Sequence, residues 1–182
     1  MPNYKRLFIE SSYLFITIVT HQRRPILIDN IDILRKAFEN TKKIYNFEIY
    51  CAVVLPDHLH VILVPKNIKE YPKIIHSVKY YFSRNLTDDG GMVIPPYIEA
   101  SKLKKGDKGI WQRRYFEHTI RDEKDLYNHL DYIHYNPVKH EYANNVKDWA
   151  FSSFDKFVKS ENYDIDWGSS EDLKIIKTLE YD

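Results

Sequence analysis

Two histidines separated by one residue open an apolar run near the middle of the chain. His58 and His60 stand at the start of the sequence His-Leu-His-Val-Ile-Leu-Val. Side chains alternate between the two faces of a strand, so both rings project from one face about 7 Å apart along the strand. Two imidazoles in this arrangement can chelate one divalent cation, and Asp57 before them could orient one ring. A hairpin-exposed histidine beside a hydrogen-bonded core histidine would give the same pattern.

A second group of residues has helical spacing further along the chain. His129, Tyr132 and Asn136 stand at i, i+3 and i+7. They lie beside an apolar stripe of the same predicted helix, which consists of Leu126, Leu130, Ile133 and Pro137. If this stripe packs on the face of the sheet that carries the histidine pair, a phenol and an amide oxygen approach the same cation.

A tyrosine beside a metal ion is suited to phosphodiester transesterification. Attack by the phenolate gives a covalent phosphotyrosine, which stores the bond energy for rejoining without ATP. The competing structural interpretation makes Tyr132 a half-buried aromatic and Asn136 a helix cap. Spacing alone does not select the nucleophile, because three further tyrosines stand nearby at Tyr115, Tyr127 and Tyr135.

The elements that must position these groups follow from hydrophobic periodicity. Strands are predicted at residues 11–20, 47–56, 58–65 and 110–120, and helices at 29–45, at 68–86 and from about Asp122 to the Asn-Pro at 136–137. A long loop rich in Gly, Pro and Lys is predicted at 87–109. This order predicts an α+β fold of the ferredoxin-like, split βαβ type, an antiparallel sheet with helices on one face.

Composition predicts one globular domain followed by a tail. The chain has 182 residues, 43% of them hydrophobic, which suits a single core over residues 1–155 and an acidic tail over 156–182. The single cysteine, Cys51, lies in an apolar strand pattern and predicts a core thiol in a reducing, intracellular setting. No signal-peptide or membrane-spanning pattern is present, so we expect a soluble cytoplasmic protein.

Charge is uneven along the chain although the net charge is only +1. Residues 66–84 carry five basic residues against one acid, residues 102–124 carry eight against four, and residues 155–182 carry eight acids against four lysines. A basic middle favours contact with a phosphate backbone, although an ordinary solvated face would look the same. The candidate contacts to DNA are Lys102, Lys104, Lys105, Arg113 and Arg114.

Three ordered motifs carry a family resemblance. They are Val-Leu-Pro-Asp-His-Leu-His at 54–60, Trp-Gln-Arg-Arg-Tyr-Phe-Glu-His-Thr-Ile-Arg at 111–121, and Asp-Tyr-Ile-His-Tyr-Asn-Pro-Val-Lys-His at 131–140. Together with Trp-Ala-Phe-Ser-Ser-Phe at 149–154, they closely resemble the REP-associated tyrosine transposases. These are bacterial relatives of the single-strand insertion-sequence transposases.

The resemblance implies a His-hydrophobic-His (HUH) endonuclease with one catalytic tyrosine. It implies that His58 and His60 bind Mg²⁺ or Mn²⁺, that Tyr132 is the nucleophile and that Asn136 is a third ligand, where insertion-sequence relatives usually have Gln. It also implies a substrate of single-stranded DNA folded into the hairpins of repetitive extragenic palindromes (REP). Glu117 and His118 match the family pattern without an assigned role. The oligomeric state, monomer or homodimer, is left open.

Three other functions compete with this hypothesis. A replication-initiator or relaxase-type HUH nuclease would share the chemistry, but the motif from Trp111 onward argues against it. A domesticated protein that binds hairpin DNA without cleaving it would retain the same residues. A ferredoxin-like RNA-binding module would leave His58 and His60 without a purpose.

Overall fold

The computed structural model describes residues 12–86 and 109–168, and the four strands of the described chain form one antiparallel sheet. The strands are β1 (Leu14–Val19), β2 (Phe47–Val54), β3 (His58–Pro65) and β4 (Phe116–Thr119). Their order across the sheet is β2-β3-β1-β4, which is the strand order of a split βαβ fold. The predicted α+β class is therefore confirmed.

Four helices accompany the sheet in the described residues: α1 (Ile31–Lys42), α2 (Tyr71–Asn85), α3 (Glu123–Lys139) and α4 (Phe154–Lys159). Short 3-10 turns occur at His21–Arg23, Ile68–Glu70 and Val146–Asp148. The start of α3 follows from its sequence, because the Asp122 carboxylate accepts a hydrogen bond from the backbone N–H of Asp125 at 2.8 Å. Acids in the first turn complement the positive end of the helix dipole.

The helices cover both faces of the sheet, which differs from the expectation of one face. Leu14, Ile16 and Ile18 of β1 belong to the core cluster that includes residues of α1 and α2, whereas Phe15 belongs to the cluster that includes Leu130 of α3. Every strand residue of β3 from His58 to Leu63 is buried, so the strand has no solvent-facing alternation. A strand that is apolar on both faces requires cover on both.

Two other boundaries differ from prediction. The helix α3 does not end at Asn136-Pro137 but continues to Lys139, with Pro137 inside it. Burial of Asn136 and Pro137 compensates for the backbone hydrogen bond that Pro137 cannot donate. The predicted strand at 110–120 is shorter, because only β4 forms a ladder and Trp111 adds a single bridge to Thr20.

The motif at residues 149–154 protects the edge of the sheet. The backbone of Val54 donates to the carbonyl of Phe151 at 2.8 Å, and Ser153 donates to the carbonyl of Ala52 at 2.9 Å. These bonds occupy part of the outer edge of β2, which would otherwise present unpaired backbone groups. The motif therefore has a structural task next to β2.

Part of the predicted tail packs against the domain. In the tail, Phe157 lies in the core cluster of α3, and Tyr163 packs against it. The domain boundary at 155 stays a prediction, and the predicted loop at 87–109 lies outside the described residues apart from Gly109. Within the described ranges, no helix is long and apolar enough to span a membrane.

Candidate active site

The two predicted metal ligands lie on the face of the sheet that α3 covers. His60 of β3 pairs with Thr17 of β1, and His58 pairs with Val19. The rings of His58 and His60 are 4.9 Å apart between centroids, and both residues are buried, with exposures of 1% and 0%. The strand alternation that predicted a common face is confirmed by this contact.

Each ring has its Nδ1 atom engaged by a neighbour. His58 Nδ1 lies 2.6 Å from Asp57 Oδ1, and His60 Nδ1 lies 2.8 Å from Thr17 Oγ1. These contacts fix the ring orientations and leave Nε2 of each ring as the ligating atom. A carboxylate or hydroxyl on the non-ligating nitrogen is the usual support for a metal-binding histidine.

Asp57 links the histidine pair to the side chain of Arg23. Its second carboxylate oxygen lies 3.1 Å from Arg23 Nη1, and its backbone carbonyl accepts the hydroxyl of Thr20 at 2.9 Å. Burial raises the pKa of the Asp57 carboxyl, but hydrogen bonds and charges from His58 and Arg23 outweigh burial and lower that pKa below its ordinary value. An ionised Asp57 therefore holds the His58 ring.

Tyr132 of α3 lies directly against the histidine pair. Its ring centroid is 5.1 Å from that of His60, with an angle of 74° between the ring planes, and 6.0 Å from that of Phe15. Tyr132 is only 1% exposed. The helix stripe predicted from spacing places it there, since Leu130 and Ile133 on either side are buried in the core that covers this face.

The other tyrosines of the region lie elsewhere. Tyr135 packs with Val146 and Phe154 in a separate cluster. Tyr127 is 49% exposed. Of the tyrosines that spacing left as candidates on α3, only Tyr132 has a ring contact with a histidine of the pair in the described structure.

Asn136 stands one helical turn beyond Tyr132 on the same side of α3 and is fully buried. Neither its side-chain oxygen nor its side-chain nitrogen has a hydrogen-bond partner among the described residues, and the same holds for Nε2 of His58. A buried amide without partners costs free energy unless another group, such as a cation, binds its oxygen. These atoms fit the donor set of a divalent metal site.

A second cluster of metal-ligand types lies at the start of α3. His118, Asp125 and His129 bring one ligand atom each within 4.8 Å of one another. Asp125 Oδ2 lies 2.8 Å from His118 Nε2, and His129 Nδ1 lies 2.7 Å from the backbone carbonyl of Asp125. Because Asp125 of α3 holds the rings of His118 and His129 by hydrogen bonds, we assign the cluster to joining β4 to α3.

The sequence assigns no role to His118, and the structure places it in this cluster. Its ring stacks on His129 at 4.7 Å between centroids, and His129 lies 4.7 Å from Phe15. Glu117 is buried on the opposite face of the sheet, because it pairs with Ile16, whose side chain lies in the core beneath α1 and α2. The two neighbours in the motif therefore face different sides.

Two residues at the end of α3 were not assigned as site residues from the sequence. The Lys139 ammonium lies 4.9 Å from the centroid of the Tyr132 ring, and the His140 ring lies 5.2 Å from that of His58. The helical offset of seven residues between Tyr132 and Lys139 could have revealed the first contact. The second contact follows from continuation of the helix past Pro137, because His140 stands four residues after Asn136 and donates its backbone N–H to the Asn136 carbonyl at 3.0 Å.

The predicted DNA contacts divide into two sets. Arg113 and Arg114 are exposed, and the preceding Gln112 donates its backbone N–H to Val19, the partner of His58, at 2.9 Å. Arg113 and Arg114 therefore directly follow a residue that is bonded to the end of β1, where β1 pairs with His58. The lysines Lys102, Lys104 and Lys105 lie outside the described residues.

Comparison with known proteins identifies the family to which this fold and this candidate site belong. The family model described as "Transposase IS200 like" matches residues 9–136. The chain belongs to this family.

Two similar proteins make the family assignment more specific. A protein of Haemophilus influenzae that provisionally bears the name REP-associated tyrosine transposase is 44% identical over 96% of this chain and 98% of its own length. The REP-associated tyrosine transposase of Escherichia coli K12 is 34% identical over 92% of this chain and 91% of its own. The resemblance drawn from the motifs is therefore confirmed.

A solved structure supports the same conclusion. The structure of a REP-associated tyrosine transposase bound to a REP hairpin is 33% identical, covers 92% of this chain and 91% of its own, and has a TM-score of 0.74. The ferredoxin-like arrangement is thus shared with a protein that binds hairpin DNA.

Proposed function

We propose that this protein is a metal-dependent single-strand DNA endonuclease and transposase, which cleaves and rejoins DNA near palindromic hairpins through a covalent 5′-phosphotyrosine. The observation that carries the proposal is the contact between Tyr132 and His60, 5.1 Å between ring centroids, beside a histidine pair whose Nδ1 atoms are both engaged. A nucleophile and a metal-binding pair in contact are the two parts that this chemistry requires.

The metal ligands in this proposal are His58, His60 and Asn136, and the ion is Mg²⁺ or Mn²⁺. The fit is supported by the buried Nε2 atom of His58 and the buried amide of Asn136, which have no hydrogen-bond partners in the described ranges. A divalent cation bound there would polarise a non-bridging oxygen of the scissile phosphate. Nitrogen and amide-oxygen donors suit either ion, with a slight preference for Mn²⁺ over Mg²⁺ where imidazole ligates.

Tyr132 carries the covalent step. Its phenol oxygen forms a bond to phosphorus, the bond from phosphorus to the 3′ oxygen of the preceding nucleotide breaks, and the proton lost by the phenol balances the new 3′ hydroxyl. Attack by a 3′ hydroxyl on the phosphotyrosine reverses the step and rejoins the strand. Lys139, 4.9 Å from the Tyr132 ring, favours the negative charge of the phosphate beside that ring.

The partner in this proposal is single-stranded DNA folded into a hairpin. Support comes from the relative whose structure was solved bound to a REP hairpin. Arg113 and Arg114, exposed near the histidine pair, are proposed to contact the phosphate backbone together with Lys102, Lys104 and Lys105. We propose that the protein acts on DNA in the bacterial cytoplasm, at the nucleoid, as a monomer or homodimer.

The experiment is a cleavage and binding assay on a labelled hairpin oligonucleotide with single-stranded flanks. We expect cleavage with Mn²⁺ or Mg²⁺, none with EDTA, and binding that weakens steeply with added salt. A fully paired duplex of the same sequence is the control and should bind weakly. Cleavage that continues in EDTA, or equal affinity for hairpin and duplex, would contradict the proposal.

A further inference from the structure

A row of aromatic rings leads from the histidine pair to the protein surface. The His140 ring lies 5.2 Å from that of His58, the Tyr142 ring 6.2 Å from that of His140, and the Trp149 ring 5.8 Å from that of Tyr142. Phe151 follows at 5.6 Å from Trp149. We call the four rings after His58, from His140 to Phe151, the aromatic row.

The end of α3 creates this row. Glu141 has a φ of 60°, and its backbone N–H donates to the carbonyl of Val138, while Tyr142 donates to the carbonyl of Pro137 at 2.8 Å. This pair of bonds around a left-handed residue is a Schellman motif, which ends a helix and turns the chain back. The turn brings Tyr142 beside His140 instead of continuing along the helix axis.

The far part of the row is held by the sheet edge. Trp149 donates its indole N–H to the carbonyl of Val54 at 2.9 Å, and the backbone of Phe151 accepts from Val54 at 2.8 Å. Both rings are half-buried. The row is therefore fixed at both ends, by the helix cap at His140 and by β2 at Phe151.

Tyr142 is the member of the row that is open to solvent. It is 45% exposed, and its ring lies nearly parallel to the rings on both sides, at 28° to His140 and 31° to Trp149. Centroid separations near 6 Å correspond to offset rings, which do not cover each other's faces fully. An exposed, oriented aromatic ring is the feature on which unpaired nucleic-acid bases stack.

Both members of an ion pair act on the hydroxyl of Tyr142. They are the Asp57 carboxylate and the Arg23 guanidinium, which lie 3.1 Å apart, and the Arg23 side chain is 48% exposed. Lys139, one turn away at the end of α3, lies over the Tyr132 ring. A strand whose phosphate lies at Tyr132 would thus meet the Lys139 ammonium beside that tyrosine.

We propose that the aromatic row binds the unpaired nucleotides that flank the cleaved phosphate, with one base stacked on Tyr142. The proposal rests on the proposed function, since it takes the strand at Tyr132 as its starting point. The row would hold the flank beside the histidine pair while the strand is cut and rejoined. It assigns a DNA-binding role to the segment after α3, which is a different segment of the chain from the arginines at 113–114.

The test uses Tyr142→Leu, which removes the ring, Tyr142→Phe, which keeps it, and Tyr127→Leu as a control at a tyrosine of similar exposure, 49%. Hairpins carry a 2-aminopurine or an abasic site at successive flanking positions on each side of the cleavage site. Stacking quenches 2-aminopurine, so wild type and Tyr142→Phe should quench one position, and Tyr142→Leu should not. Tyr142→Leu should also weaken binding of the intact flanked hairpin by roughly 5- to 150-fold.

The abasic substrates separate a stacking role from a structural one. At the quenched position, an abasic site should weaken wild-type binding to the level of Tyr142→Leu, and Tyr142→Leu should lose nothing further. Loss by Tyr142→Leu that is the same for every abasic substrate, or no loss on any flanked hairpin, would overturn the inference. If wild type binds and cleaves flanked hairpins and Tyr142→Leu does so equally well, the role of Tyr142 is refuted but the proposed function is not. Wild type that fails to bind any flanked hairpin would refute both it and the proposed function.

Discussion

The rings of His60 and Tyr132 meet edge to face, 5.1 Å apart at 74°, and this contact joins the central strand β3 to the helix α3. The two residues are 72 positions apart in the chain, and both are buried. Phe15 of β1 touches both rings, at 5.6 and 6.0 Å. The candidate nucleophile is therefore held by the core and not by a loop, which favours a fixed position relative to the histidine pair.

The support of His60 by Thr17 gives a prediction for metal affinity. Thr17→Val removes the hydroxyl that lies 2.8 Å from His60 Nδ1 and keeps the shape of the side chain. We expect Mn²⁺ affinity, measured by calorimetry, to fall about 10- to 100-fold. Thr41→Val is the control, because Thr41 is also buried and hydrogen-bonded but belongs to α1 on the other face. Unchanged affinity in Thr17→Val would show that the hydroxyl does not support a metal ligand.

The cluster at the start of α3 gives a prediction that separates two metal sites. His118→Ala removes a 2.8 Å hydrogen bond to Asp125 and the stacking on His129. We expect a loss of about 1–2 kcal/mol in the free energy of unfolding, measured in urea, with little change in Mn²⁺ affinity. The exposed His76 serves as control through His76→Ala, which should change neither quantity.

The comparison with His58→Ala decides which site binds the ion. His58→Ala should abolish Mn²⁺ binding if the ion binds at the histidine pair. Retention of binding in His58→Ala together with its loss in His118→Ala would place the metal at the cluster of His118, Asp125 and His129. That result would contradict the assignment of the cluster to structure.

Burial of Cys51 predicts a protected thiol. Burial raises the pKa of Cys51 to about 12, although a hydrogen bond from Ser153 opposes the shift. The folded chain keeps the proton where an unfolded thiol with a pKa near 9.0 would lose it, so the free energy of unfolding falls as the pH rises above 9.0. Alkylation by iodoacetamide at mildly alkaline pH should be slow in the native protein and fast in denaturant. Equal rates would show that Cys51 is accessible.

Much of the site could be predicted from periodicity. Strand alternation predicts that His58 and His60 share one face of β3, and helical spacing predicts which side of α3 carries Tyr132. In the structure these two faces pack against each other. The split βαβ order followed from the sequence of strands and helices. These features are local, so they are readable from residue types and spacing.

The remainder depends on contacts between distant segments. The Asn-Pro at 136–137 predicts a helix end, but α3 continues to Lys139, with Asn136 and Pro137 buried. Tyr142 lies beside His140 because the chain turns back at Glu141, a residue that propensity does not mark for a left-handed φ. The cover of both faces of the sheet likewise follows from how the helices pack, which no local pattern specifies.

Mapping of the covalent adduct shows which tyrosine is the nucleophile. A labelled hairpin is incubated with Mn²⁺ and wild type, Tyr132→Phe or Tyr135→Phe, and any linked peptide is identified by mass spectrometry. Tyr132→Phe removes one oxygen and keeps the ring contacts to His60 and Phe15, so folding and hairpin binding should persist. We predict a phosphotyrosine at Tyr132 in wild type and Tyr135→Phe, and no adduct or cleavage in Tyr132→Phe. An adduct that persists in Tyr132→Phe and maps to Tyr127 or Tyr135 would show that another tyrosine is the nucleophile.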